Sequence, residues 1–255
     1  MIRIYDLSLP IDDAAPESFP VKIERIGHAE GAGRVGLKFD GKLDQNSFPD
    51  AMFLSHETVT ASVHCGTHVD APFHFGPVSE GKPAITIDEV PLDWLYGNGV
   101  VLDVTHVMHG GEITSEDVNT SLAKIGYTVM PGDIVLLMTG ADKYFGTREY
   151  FTNFPGLGIE ALDELLDMGV KTIGIDALGL DRPFSAMVED YVRTKDGAKL
   201  WPAHLLGRRR EYCHIERLAN LGSLPRPFGF KFASFPIKIK AAGAGWSRAV
   251  AIFED

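Results

Sequence analysis

Ile159-Glu160-Ala161-Leu162-Asp163-Glu164-Leu165-Leu166-Asp167-Met168 runs through Gly169 into Lys171-Thr172-Ile173-Gly174-Ile175-Asp176. The first ten residues carry apolar side chains at helical spacing, and Gly169 suits the left-handed cap that ends a helix. Lys171–Asp176 reads as a strand directly after it. Upstream, Asp133-Ile134-Val135-Leu136-Leu137-Met138 follows a Pro131-Gly132 turn and reads as another buried strand. Strand, helix, strand in this order is the mark of an α/β protein.

Working outward, Val100–Val104 is a short apolar run that suits a buried strand. Thr114-Ser115-Glu116-Asp117 offers a cap and an acidic first turn for a helix over roughly 115–125. Ile2–Leu9 alternates and reads as an opening strand, and Val59–Val63 reads as a strand leading onward. Strands are expected over Phe228–Phe232, Ile237–Lys240 and Ala249–Phe253, so strands outnumber helices. Residues 10–50 are rich in Pro, Gly and charge with little periodicity, the pattern of a functional arm or lid. No repeat or linker interrupts the rest, and residues 1–255 are read as one domain.

Composition narrows the partners. A net charge of −11 repels nucleic acid and anionic membrane surfaces, so neither is expected. Cys65 and Cys213 are too few for a disulfide scaffold and fit a reducing compartment. Met1–Asp6 lacks a secretory signal pattern, and no apolar stretch is long enough to span a bilayer. The expectation is a cytoplasmic protein.

The chemistry is concentrated in His64-Cys65-Gly66-Thr67-His68-Val69-Asp70-Ala71-Pro72-Phe73-His74. In an extended strand the even positions share a face, which would align His64, His68, Asp70 and His74. Neutral imidazoles converging with a carboxylate suit Zn²⁺, Mn²⁺ or Fe²⁺. On a flat strand His64 and His68 would lie roughly 13 Å apart, too far to share an ion. Gly66 and Pro72 argue against a continuous helix, so the spacing predicts a sharp bend at Gly66 that returns His64 beside His68 and Asp70. His74 is open to two roles, a fourth ligand or a proton shuttle. Cys65 falls on the opposite face and reads as core. His106 and His109 read as surface residues, and Arg208-Arg209-Arg210 as a solvated face. Asp176 is open to orienting a ligand histidine or to a structural role. Phe53, Phe73, Phe75, Tyr191, Trp201 and Trp246 are candidates for an aromatic pocket. Spacing joins His204, at the start of a short helix, to Glu216 twelve residues later only if the chain folds back at Gly207 and the charged Arg208-Arg209-Arg210-Glu211 turn. On one straight helix the two would be roughly 18 Å apart.

The run from His64 to His74 and Phe75 resembles the signature of the metal-dependent cyclase family. That family includes bacterial kynurenine formamidases, isatin hydrolases and aromatic polyketide cyclases. Tyr5-Asp6-Leu7-Ser8, Phe154-Pro155-Gly156-Leu157, Gly174-Ile175-Asp176 and Arg248-Ala249-Val250 extend the likeness over most of the chain. His204-Leu205-Leu206-Gly207 followed by Glu216-Arg217-Leu218 resembles the family's distal metal-binding segment. The resemblance implies a single-domain β/β/α swivelling-domain fold, strand-rich with few helices, and a homodimer or homotetramer. It implies one ion held by His64, His68 and Asp70 and, where a second is present, one held by Asp70, His204 and Glu216. His74 would be the acid/base residue, and the metal zinc or manganese. Gly179 stands where many hydrolases of the family carry serine, and the 10–50 arm resembles the longer cyclase branch. Both features point away from kynurenine formamidase itself. The activity expected is hydrolysis of an amide or cyclic amide of a small aromatic molecule, with ring closure or dehydration, or a non-catalytic metal-containing binding module, as the alternatives.

Overall fold

Amphipathic segments become helices here and short apolar runs become strands. The computed structural model describes residues 1–254, beginning with β1 (Ile2–Asp6), β2 (Lys22–Ile26), α1 (His28–Leu37) and β3 (His56–Thr60). Then come β4 (His68–Asp70), the single helical turn α2 (Pro72–Phe75), and the short strands β5 (Val78–Ser79) and β6 (Lys82–Pro83). The middle of the chain alternates through β7 (Tyr96–Asp103), β8 (Glu112–Ile113), α3 (Ser115–Ile125), β9 (Ile134–Met138), β10 (Gly156–Leu157), α4 (Ile159–Asp167) and β11 (Thr172–Ile175). Helices α5 (Phe184–Thr194) and α6 (Pro202–Leu206) precede β12 (Cys213–Glu216). Strands β13 (Phe230–Ala233), β14 (Ala244–Trp246) and β15 (Val250–Glu254) follow.

Nine strands form one sheet in the order β1-β15-β13-β7-β9-β11-β12-β4-β14. The four at its centre, β7-β9-β11-β12, run parallel, and their outer neighbours are antiparallel. Parallel neighbours need a crossover between them, and α3 and α4 supply the first two. The α3 start is the expected one: the Thr114 hydroxyl accepts from the Asp117 N–H, and the Asp117 carboxylate accepts from the Thr114 N–H. Gly169, at φ +88°, ends α4 as its position requires. The architecture is α/β and strand-rich, as expected.

Alternation along the central strands fills an apolar layer on each face of the sheet. Val135 and Leu137 of β9 join Val100, Leu102, Ile173 and the α4 residues Leu162 and Leu165 on one side. Ile134 and Leu136 join Val69, Ile215, Phe232 and Phe253 on the other.

Residues Met1–Ile11 with the chain from Val63 onward form one compact unit, and Asp12–Ser62 form a second. In the second, β2 pairs antiparallel with β3 from Lys22↔Thr60 to Ile26↔His56. The expected strand over 59–63 is therefore displaced to His56–Thr60. Helix α1 escaped the sequence reading because Gly31 and Gly33 lower helix propensity. Gly31 is needed, since a Cβ there would lie 2.4 Å from the Leu54 carbonyl oxygen. Helix α5 also carried little signal, because Met187 is its one fully buried residue among the described residues. The strand expected over 237–240 does not form; an isolated bridge from Pro236 to Ser247 takes its place. Among the described residues no helix is long and apolar enough to cross a membrane.

Leu162 and Leu165 are both fully enclosed between α4 and the sheet. Leu165→Ala should cost roughly 2–5 kcal/mol through lost burial and a residual cavity. Urea denaturation checks this as a lower midpoint at unchanged slope.

Candidate metal centre

Strand alternation builds the centre. In β4, Val69 faces an apolar layer, so His68 and Asp70 face the other way. In β12, Cys213 and Ile215 share Val69's layer, which turns His214 and Glu216 to the side of His68 and Asp70. The antiparallel register sets His214 opposite Asp70 and Glu216 opposite His68. Directly opposed side chains in such a pair stand roughly 5 Å apart at Cβ, close enough for their tips to meet.

The motif is a bent strand end, as expected, with less of it in strand than the run of alternating positions suggests. Only His68–Asp70 is strand; His64 lies in the turn before it and His74 on α2 after it. Gly66, at φ +59°, makes the expected bend, and a Cβ there would lie 3.2 Å from the Pro10 carbonyl oxygen. Pro72 starts α2 at a position where its missing N–H costs nothing. These two breaks bring His64 Nδ1 to 3.0 Å from Asp70 Oδ1 and His74 Nε2 to 3.9 Å from Asp70 Oδ2.

His68 Nε2 lies 3.5 Å from Asp70 Oδ1 and 3.5 Å from Glu216 Oε2. It is fully buried and makes no well-aligned hydrogen bond. Its other nitrogen, Nδ1, is 2.9 Å from the Gly66 carbonyl oxygen, which turns Nε2 inward. His204, on α6, is held in the same manner: Nδ1 is 2.5 Å from Asp181 Oδ2, and Nε2 is 3.8 Å from Glu216 Oε1. Asp181 also accepts the N–H groups of Ala203 and His204, so it caps α6 while aiming the ring. His214 Nε2 sits 2.9 Å from Asp70 Oδ2 and 3.3 Å from Glu216 Oε1. Phe75 covers the His204 and His214 rings, at centroid distances of 5.5 and 4.9 Å.

Two overlapping donor groups result, His64–Asp70–His74 and Asp70–His204–His214–Glu216, with Asp70 in both. Every sequence-expected site residue, His64, His68, Asp70, His74, His204 and Glu216, thus lies in one neighbourhood. Burial works against Asp70 ionising, but His68, His214 and His64 hold its carboxyl well below the usual range. Burial lowers His74 to about 4, against the pull of Asp70, so this imidazole is neutral at pH 7. His64 is also lowered by burial, and Asp70 more than reverses that. Burial opposes the charge on His214 as well, yet Asp70 and Glu216 raise it to about 10.

The sequence reading missed His214, although Cys213-His214-Ile215-Glu216 shows the same alternation that aligned His68 with Asp70. It also missed Asp181 as the orienting carboxylate of His204. Asp176 does not orient a ligand histidine; it accepts from the N–H and hydroxyl of Thr139 and the N–H of Gly140. Cys65 is buried, as expected of core, and His106 and His109 are exposed. Arg210 is not a free solvated charge: it pairs with Asp163 and Asp167. Of the aromatic candidates, Phe75 lines the cluster, while Phe73, Tyr191 and Trp201 are exposed.

A family model described as "Putative cyclase" matches residues 5–182. The chain belongs to this cyclase family. Its fold is shared with isatin hydrolase A from Ralstonia solanacearum (TM-score 0.76, 21% identity, 99% of this chain and 92% of that one). It is shared equally with isatin hydrolase A from Labrenzia aggregata bound to benzyl benzoate (TM-score 0.73, 23% identity, 100% and 94%). A third structure, described as a potential metal-dependent hydrolase with cyclase activity, matches at TM-score 0.66 and 22% identity over the whole of both chains. In this cyclase-family chain the donor set of imidazoles and carboxylates, with the inward Nε2 of His68 unbonded, suits a divalent cation.

The ion-free protein has a signed pH dependence. His214 has a folded pKa above its unfolded value, so its contribution to stability is present below about pH 6.5 and lost as pH rises towards 10. His74, lowered, costs stability as pH falls from about 6.5 towards 4. With chelator present, the gap in thermal midpoint between the wild type and His214→Leu should narrow from pH 6.5 to 10. A gap that widens over this range contradicts the assignment.

Proposed function

We propose that this chain is a metal-dependent hydrolase that cleaves an amide or cyclic amide of a small aromatic molecule, a formamide, isatin or lactam. The observation that carries the reading is His68 Nε2, buried and unbonded between the carboxylates of Asp70 and Glu216. Family membership and the fold shared with isatin hydrolases support it. His64, His68 and Asp70 would hold one ion, and Asp70, His204 and Glu216 a second. A divalent cation there supplies Lewis acidity for the scissile carbonyl and brings the pKa of water down to roughly 7.

The chain's own residues do the rest. Asp181 and the Gly66 carbonyl fix which nitrogen of His204 and His68 faces inward, an outer-layer role that sets ligand orientation. His74 is partly exposed, neutral at pH 7 and within 3.9 Å of Asp70. It is placed to accept a proton from the attacking water and return it to the leaving nitrogen. Leu180 N–H donates to Glu216 Oε1 at 3.0 Å, holding that carboxylate. Gly179 stands against Glu216, where a Cβ would lie in ordinary contact at 3.5 Å from Oε1. The missing serine hydroxyl at Gly179, with the family's description, favours a metal-dependent cyclase or dehydratase as the second reading. The working protein is proposed as a cytoplasmic homodimer or homotetramer, with residues 10–50 as its arm or lid.

Elemental analysis should find zinc or manganese at one or two ions per chain, and chelation should abolish turnover of N-formylkynurenine, isatin or an aryl formamide. His74→Ala should lower kcat roughly a hundredfold or more with metal content unchanged. Loss of metal in His74→Ala would make it a ligand instead. Metal-loaded protein that turns over no carbonyl substrate would favour a binding module.

A further inference from the structure

His214, like His68, is a fully buried histidine that faces the carboxylates of both Asp70 and Glu216, yet it has no part in the two ion positions described so far. We propose that His214 is a metal ligand, completing a closed four-donor position with Asp70, His204 and Glu216. This rests on the proposal that the cluster binds divalent ions, and it separates the two positions by task.

Three observations support it. First, the donor atoms are spaced for one ion. Bonds of 2.0–2.2 Å in a tetrahedron put neighbouring donors roughly 3.3–3.5 Å apart. His214 Nε2 is 2.9 Å from Asp70 Oδ2 and 3.3 Å from Glu216 Oε1, and His204 Nε2 is 3.8 Å from Glu216 Oε1. All four donors lie within 4.8 Å of one another. Second, the outer nitrogen of each imidazole is engaged, as ligand histidines require. His204 Nδ1 meets Asp181, and His214 Nδ1 lies 3.3 Å from the Tyr212 hydroxyl, which itself donates to the Ala203 carbonyl. Tyr212 and Asp181 therefore aim both Nε2 atoms at the same point. Third, the two positions differ in access. Among the four donors His214 and Asp70 are fully buried, Glu216 is 9% exposed and His204 14%, whereas at the other position His68 is buried but His64 and the adjacent His74 are 31% and 33% exposed.

A position with four side-chain donors and no open face is the pattern of a structural ion, and one with three donors and an open side is the pattern of a reactive one. Two imidazoles with two carboxylates favour Zn²⁺ over Mg²⁺ or Ca²⁺. The closed position would fix Asp70, and through it the geometry of the open position.

The test is a titration of chelator-stripped protein with Zn²⁺ by calorimetry and with Co²⁺ by visible absorption. Two equivalents should bind, and the tighter Co²⁺ should show the intense absorption of a four-coordinate ion. In His214→Leu that equivalent should weaken by roughly a hundredfold or more and lose its intense absorption, while the other equivalent remains. A variant that binds both ions with unchanged affinity and spectrum overturns the proposal. So does a wild type that binds a single ion, which would leave the His214 ring itself between the two carboxylates while the metal-dependent hydrolase reading stands. Binding of no ion overturns both. Should His214→Leu fail to fold, ¹⁵N-histidine spectra of the wild type decide: the His214 Nε2 resonance must shift with the tighter Zn²⁺ equivalent, and an unmoved resonance overturns the proposal.

Discussion

Asp70 is a carboxylate with no solvent exposure, placed where β4 lies against β12. Burying an unpaired carboxylate costs several kcal/mol, so its surroundings must supply positive charge or donors from every side. Here they do so with nitrogen: His64 and His68 approach Oδ1, and His214 and His74 approach Oδ2. Each belongs to a different local structure, a turn, a strand, a neighbouring strand and a one-turn helix. The breaks at Gly66 and Pro72 and the register of β12 on β4 together bring these nitrogens to one carboxylate.

The large sheet explains why such a group can be held there. Its parallel core is fixed by apolar layers on both faces, so β11 and β12 are placed without any help from the site. Strand β4 adds antiparallel to β12, and β14 covers its other edge. A rigid scaffold on one side and short connecting turns on the other suit a site that needs donors fixed to within a fraction of an ångström.

Much of this was legible in the sequence, for identifiable reasons. Helix α4 and the strands on either side announce themselves because burial on one face imposes a period on the apolar residues. The bend at Gly66 follows from the reach of a strand set against the reach of an ion. What escaped notice was carried by residues whose role is set across the sheet. His214 acquires its meaning from Asp70, which is distant in sequence, and the pairing of β12 with β4 leaves no mark on either segment alone. Asp181 is likewise defined by the helix it caps. Asp176, at the end of β11, looked equally placed to orient a histidine, yet the nearby loop offers it Thr139 and Gly140 instead. Helices α1 and α5 were hidden because glycines in one and a largely solvated surface on the other blur the helical period.

Sharing of Asp70 between two cation positions built from opposite sides is the proposal on which the proposed chemistry turns. Anomalous diffraction from crystals grown with zinc, collected on both sides of the zinc absorption edge, tests it most directly. Two peaks should flank Asp70, one near His64 and His68 and one near His204 and Glu216. Strong zinc peaks elsewhere on the protein, with none beside Asp70, would contradict it.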